Sequence, residues 1–187
     1  MTGSELVEQV ATALAQQQES WFTLPPQDVE IPTELTQALE GFDAGEQAAA
    51  VAATEWLQTR ARREHRTSRT RVLIAQGRLA GFYSLASSHV ELSGRHRKAL
   101  ALQSTVVSVP AALVTWIAKD HRSTVEGKTL LLHAAATARR AAAMQAATVL
   151  VVDAYDEQTA GMWKQRFGFR RSSGDQADHR LWIPLAG

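Results

Sequence analysis

Apolar positions along the chain change period several times, and the changes mark out its elements. Leu6, Val10 and Leu14 recur at helical spacing within the first twenty residues, and Gln16, Gln17 and Gln18 followed by Pro25 and Pro26 end that helix. After Pro32 the pattern predicts a short helix over 34–40 and a turn with two glycines over 41–46. An alanine-rich helix over about 46–66 follows, anchored by Trp56 and Leu57. The consecutive β-prone residues Val72, Leu73 and Ile74 predict a strand over 68–75. Gln76-Gly77-Arg78 is a turn of hairpin length, and 79–92 continues with strand character. Residues 94–98 read as a basic loop and 100–107 as another strand, closed by Pro110. From 111 a buried strand is predicted, then an alanine-rich helix from near Gly127, then 148–154, a continuous apolar strand of the kind found inside a parallel pair. A helix over 156–166 and a last strand over 179–184 complete the order. A hairpin followed by strand, helix, strand, helix and strand predicts a mixed α/β domain.

Composition narrows the class. The 187 residues are 45% hydrophobic and 21% charged, enough for one globular domain with at most a small appendage. Residues 1–40 read as a helical extension and 41–187 as the domain. Lys and Arg number 20 against 19 Asp and Glu, so a uniformly basic nucleic-acid binder is excluded while local basic patches are not. The absence of cysteine excludes disulfides, thiolate zinc sites and cysteine nucleophiles. No apolar run approaches the roughly 18 residues of a membrane span, and the polar, acidic amino terminus does not read as a signal peptide. A cytoplasmic protein with no membrane partner is expected. The six histidines show no paired ligand spacing, so no metal is expected, and no GxSxG nucleophile elbow is present.

The most informative stretch is 118–131, which sets a polar turn with one glycine between a buried strand and a helix. Backbone N–H groups at a helix start lack intrahelical partners, and the helix dipole adds partial positive charge, so such a turn suits a phosphate or pyrophosphate. An ordinary strand-to-helix connection has the same pattern. Gly127-Lys128-Thr129 is not a nucleotide-binding P-loop, because the glycine required five positions before Gly127 is Arg122.

The order strand, Asp120, turn, Gly127, the Leu130-Leu131 helix, strand 148–154 and the segment from Asp156 to Trp163, Phe167, Gly168 and Phe169 resembles the GNAT acetyltransferase superfamily. Upstream, Gly41-Phe42-Asp43-Ala44-Gly45, Trp56-Leu57, Ser68-Arg69-Thr70 and Gly81-Phe82-Tyr83-Ser84-Leu85 are similar to the toxin branch of that superfamily, as is Leu181-Trp182-Ile183-Pro184-Leu185. The resemblance spans about 41–185. It implies a GNAT fold: a mixed central sheet flanked by helices, with two parallel strands (about 112–119 and 148–154) that splay to admit acetyl-CoA. It also implies an N-acetyltransferase that modifies the amino group of aminoacyl-tRNA. The implied partners are that RNA, a ribbon-helix-helix antitoxin and a second copy of the chain. Two alternatives stand beside it: a relative that binds acyl-CoA and works through partner contacts, or an acetyltransferase of small amines.

Carried over, Thr124, Gly127 and Thr129 occupy the three turn positions of the family, and only Gly127 matches its pattern. The implied cofactor contacts are the turn Thr124, Val125, Glu126, Gly127, Lys128 and Thr129, with Asp156 at the start of the later helix. Backbone N–H groups of Ile117 and Ala118 are placed to polarise the thioester carbonyl. Many members use a tyrosine as general acid where this chain has Trp163, whose indole has no usable acidic proton. Tyr155 is the nearest substitute in sequence, or a sheet-end residue with its hydroxyl in water. Tyr83 matches a family tyrosine and lines the acceptor cleft, or is a plain strand residue. Arg60, Arg62, Arg63, Arg66 and Arg69 crowd one short stretch, and Arg95 and Arg97 form a second cluster. Guanidinium contacts to RNA phosphates explain that density, as does a solvated helix face. No base-stacking aromatics are interleaved with them.

Overall fold

The computed structural model describes residues 3–16, 19–103, 105–106, 108–172 and 179–185. Its seven strands hydrogen-bond in the order β1-β2-β3-β4-β5-β7-β6. Contacts divide the chain into two compact units, one of residues 1–84 and 116–132 and the other of 85–115 and 133–187.

The first unit begins with α1 (Gly3–Gln16), β1 (Ser20–Thr23), α2 (Thr33–Glu40) and α3 (Ala48–Thr59). Val10 and Ala13 of α1 are buried with Phe22, Leu24, Leu35 and Leu39, so the amino-terminal segment packs into this unit's core. No strand was expected over 19–24; β1 lies antiparallel to β2 (Arg69–Ala75), with Trp21 opposite Leu73. β2 joins β3 (Arg78–Glu91) through Gln76 and Gly77, both at positive φ as a two-residue hairpin turn demands. The helix expected to reach Arg66 stops at Thr59. The next two N–H groups both donate to the Trp56 carbonyl, and a 3-10 turn follows over Arg63–Arg66. The charged run from Arg60 to Arg66 leaves no apolar face to continue a helix, and Trp56 already spends its indole N–H on Glu64, 3.1 Å away.

In the second unit the expected basic loop is instead α4 (Gly94–Ala99), capped by the Ser93 hydroxyl, which accepts from the His96 N–H. The expected strand over 100–107 is absent among the described residues. Leu102 N–H turns back to the Arg97 carbonyl, while Leu100, Leu102 and Val106 pack onto a core of Val90, Val109, Val149 and Trp182. Those apolar residues cover a core, so their β-propensity has no ladder to join. β4 (Ser108–Lys119) starts before Pro110 and pairs in parallel with β5 (Val149–Asp153), from Ala111 opposite Val149 to Val114 opposite Val152. β5 then ends while β4 runs on to Lys119. The helix α5 (Gly127–Gln145) precedes β5, and α6 (Glu157–Phe167) follows it. β6 (Arg170–Arg171) and β7 (Arg180–Pro184) finish the sheet, β7 antiparallel to both β5 and β6.

Candidate active site

The site is built where β4 ends. Asp120 is 1% exposed, and its N–H donates to the Ala80 carbonyl at 2.9 Å. Its carboxylate accepts from the Asp43 N–H at 3.1 Å, from the Arg122 N–H and Nε at 2.9 Å each, and from Arg122 Nη2 at 2.6 Å. Arg122 Nη2 also donates to the Gly41 carbonyl, and the His121 N–H donates to the Asp43 carbonyl. The segment after β4 is thus latched to the Phe42-Asp43-Ala44-Gly45 turn, which Gly45 closes at a φ of +110° by donating to Asp43 Oδ1. Burial pushes the Asp120 carboxyl up, but the Arg122 side chain and the N–H groups of Arg122 and Asp43 outweigh it and hold the group below the ordinary carboxylate range.

The rest of the turn rises from this anchor. The Ser123 hydroxyl accepts from the Val125 N–H at 3.2 Å, and the Ser123 carbonyl accepts from Lys119 Nζ at 2.7 Å. Gln76 Nε2 donates to the Thr124 hydroxyl at 2.6 Å, tying the β2–β3 hairpin to the turn. Val125 is buried, and Thr129 N–H bonds to the Glu126 carbonyl. Among the described residues, the N–H groups of Glu126, Gly127 and Lys128 have no acceptor. A Cβ on Gly127 would meet nothing within 4 Å, so the space beside its Cα is open, and Glu126, Gly127 and Lys128 are all exposed. Unpartnered donors, the positive end of α5 and open space together form a seat for an anion. Within the turn itself, the exposed Glu126 side chain opposes it. Gly81 matters behind the turn. A side chain there would lie 2.8 Å from Leu130 Cδ1 and 3.0 Å from the Ala118 carbonyl oxygen, so only glycine lets β3, β4 and α5 approach this closely.

The structure therefore brings together Ile117, Ala118, Thr124, Val125, Glu126, Gly127, Lys128 and Thr129. Ile117 and Ala118 are half-buried, their side chains on opposite faces of β4. Tyr83, in the same unit, is 0% exposed with its ring 5.5 Å from Trp21. Tyr155 and Asp156 lie in the second unit. Tyr155 is 57% exposed, and the Asp156 carboxylate accepts the Thr159 N–H at 2.7 Å as the cap of α6. Trp163 is 7% exposed, its ring 5.3 Å from Phe167 and 5.2 Å from Phe169. Of the arginines, Arg63, Arg66, Arg69 and Arg95 are exposed, and Arg60 pairs with Glu64 at 2.6 Å. Arg62 is turned onto the carbonyls of Pro25, Pro26, Gln27 and Val29, and Arg97 onto that of Leu92 at 2.6 Å.

Sequence reasoning used Asp120 only as a landmark and missed Arg122 and Asp43 as its partners. The signal was weak but present: an aspartate whose carboxylate receives the N–H two residues on is a turn former, and Asp120 and Arg122 have that spacing.

No family model and no curated protein matches the chain. Solved structures do. AtaT complexed with acetyl-methionyl-tRNAfMet is 23% identical, with a TM-score of 0.68 over 89% of this chain and 95% of that one. A tyrosine-to-phenylalanine mutant of the AtaT toxin, bound to the C-terminus of the antitoxin AtaR and acetyl-CoA, is 23% identical at a TM-score of 0.64 over 90% and 94%. A tyrosine-to-phenylalanine mutant of KacT is 22% identical at a TM-score of 0.68 over 90% and 96%. The chain has the fold of these proteins, a mixed sheet flanked by helices as the sequence resemblance implied.

Proposed function

We propose that the chain is an acetyl-CoA-dependent N-acetyltransferase of the toxin type, acting in the cytoplasm on the amino group of an aminoacyl-tRNA. The observation that carries this reading is the turn ahead of α5, with three unpartnered N–H groups, open space over Gly127 and a buried anchor beneath. A diphosphate needs several convergent donors and no side chain in its path, and residues 126–128 satisfy both needs. The solved complexes of AtaT with acetyl-CoA and with acetyl-methionyl-tRNA support the same reading.

When bound, acetyl-CoA supplies the acetyl group as an activated thioester. In this proposal the N–H groups of Glu126, Gly127 and Lys128 hold its diphosphate. The N–H of Ile117, which strand alternation sets on the edge of β4 opposite the Asp120–Ala80 bond, receives the carbonyl oxygen as charge grows on it, so Ala118 gives no second donor there. The neutral amine forms the new C–N bond as the C–S bond breaks, and the amine's surplus proton ends on the thiolate. Tyr155, an exposed residue, is the proposed relay, giving its phenolic proton to that sulfur and taking up the amine's proton in its place, and the buried Tyr83 shapes the acceptor side through packing. Asp156 serves through its cap of α6. Phosphate contacts fall to Arg63, Arg66, Arg69 and Arg95, since Arg62 and Arg97 are bonded to backbone carbonyls. A ribbon-helix-helix antitoxin and a second copy of the chain are the proposed protein partners.

A second reading, an acyl-CoA binder that acts through partner contacts, is favoured by one observation. Trp163 fills the position of the family's acid and is packed between two phenylalanines. Purified protein incubated with labelled acetyl-CoA and charged tRNA separates the two. Label on the aminoacyl group is the expected result; calorimetric binding of acetyl-CoA with no transfer to any charged tRNA selects the binder.

A further inference from the structure

Three aromatic rings from three elements stack in the first unit. Phe82 of β3 lies against Trp56 of α3 with centroids 5.9 Å and planes 16° apart, and Trp56 lies against Trp116 of β4 at 5.3 Å and 19°. Phe42 closes the far end, edge-on to Phe82 at 5.4 Å. Phe42, Phe82 and Trp56 are buried, whereas Trp116 is only partly so. Among the described residues the Trp116 ring meets no aromatic partner besides Trp56. The stack therefore ends on the partly buried Trp116 indole, directly before Ile117 and Ala118.

The middle ring links this stack to the basic turn. Trp56 Nε1 donates to Glu64 Oε2, and Glu64 sits within the 3-10 turn Arg63–Arg66, with Arg60 2.6 Å from its other oxygen. Arg63, Arg66 and the following Arg69 are exposed. The fold thus bonds the turn that carries Arg63 and Arg66 to the middle ring of a stack whose outer ring lies more than forty positions away in sequence. Cations that hold phosphates beside a π-face that accepts any base are the means by which proteins grip unpaired nucleic acid. Phosphates give the arginines counter-charges while bases stack on a π-face, so unpaired nucleic acid meets both features at once.

We infer that Trp116 is the stacking platform for the unpaired terminal nucleobase of an acceptor RNA, with the arginines of the neighbouring 3-10 turn on its phosphates. The inference rests on the acetyl-transfer reading for the identity of that RNA, and its test does not depend on transfer. The trinucleotide CCA, the end common to tRNAs, is titrated into the full chain while indole N–H resonances are followed by NMR. The resonance that disappears in Trp116→Phe reports this ring. It is expected to shift in the wild type, with affinity falling about ten-fold in Trp116→Leu and returning to within about two-fold in Trp116→Phe. Circular dichroism melting shows that each variant is folded. In the transfer assay, folded Trp116→Leu is expected to raise KM for charged tRNA about ten-fold and leave KM for acetyl-CoA unchanged. No shift on adding CCA, or equal affinity in wild type and Trp116→Leu, overturns the inference. A Trp116-dependent CCA response in a protein that acetylates no charged tRNA upholds the platform and removes the transfer reading.

Discussion

Replacing Asp120 by alanine tests whether the turn ahead of α5 is held by its buried carboxylate. The substitution removes four hydrogen bonds, from the Asp43 N–H and from the backbone and side chain of Arg122. Hydrogen bonds to charged groups contribute about 1.5–3 kcal/mol each, yet their sum overstates the loss. The Arg122 side chain is 44% exposed, so its guanidinium regains water when released. What remains is the unpaired N–H groups of Asp43 and Arg122, the small cavity and the lost order of the turn, together about 3 kcal/mol. For a chain of this length each kcal/mol moves Tm by about 2–4 °C, so Asp120→Ala is expected to melt roughly 6–12 °C lower. Asp120→Asn keeps the shape and one acceptor and is expected to lose about half as much. The carboxyl is held below its ordinary pKa, so its stabilisation is fully present above that value and is lost as pH falls through the lowered one. The difference between wild type and Asp120→Asn is thus expected to be constant from pH 8 to about 5 and to shrink only in stronger acid. Urea unfolding followed by circular dichroism reads both effects. An Asp120→Ala variant within about 0.5 kcal/mol of wild type would refute the latch.

Two further outcomes follow from single side chains. Glu126 opposes an anion at the α5 start, so Glu126→Gln is expected to tighten acetyl-CoA binding about three-fold at low salt, by calorimetry, with the gain fading as salt rises; unchanged or weaker binding would place the diphosphate elsewhere. His96 lies edge-on to Trp182 at 5.1 Å, and burial, followed by Arg170 and Arg95, lowers its pKa. The unfolded chain therefore binds this proton more readily, so His96 contributes stability above pH 6.5 that is lost as pH falls through the lowered value. His96→Phe is expected to flatten the wild-type decline in urea midpoint between pH 7 and 5.5, and parallel declines in both proteins would exclude His96 as its source.

Elements with a strong internal period were legible. The hairpin at Gln76-Gly77, the strand ending at Lys119 (half-buried rather than buried), and the helix from Gly127 all lie where the residues placed them, because turn chemistry and apolar runs act locally. The free N–H groups at the glycine turn were legible for the same reason, since orphan N–H groups belong to any helix start. Misreadings came where distant packing outvoted local preference. Leu100, Leu102 and Val106 look like a strand and serve as core cover, and the run from Arg60 to Arg66 looks helical and is bent by bonds from Trp56 and Arg62.

Residue order alone settled the alternation of strands and helices, the hairpin, and the open backbone at Gly127, each a property of a few neighbours. Tertiary structure decided which arginines face solvent, that Asp120 is a buried anchor rather than a turn residue in water, and that Trp116 closes an aromatic stack beside Glu64. The central ones depend on contacts between distant segments, seen in the 77-residue separation of Asp43 and Asp120 and the 37 positions between Arg62 and Pro25. Such contacts exist only once the sheet has brought the segments together, and no local pattern encodes them.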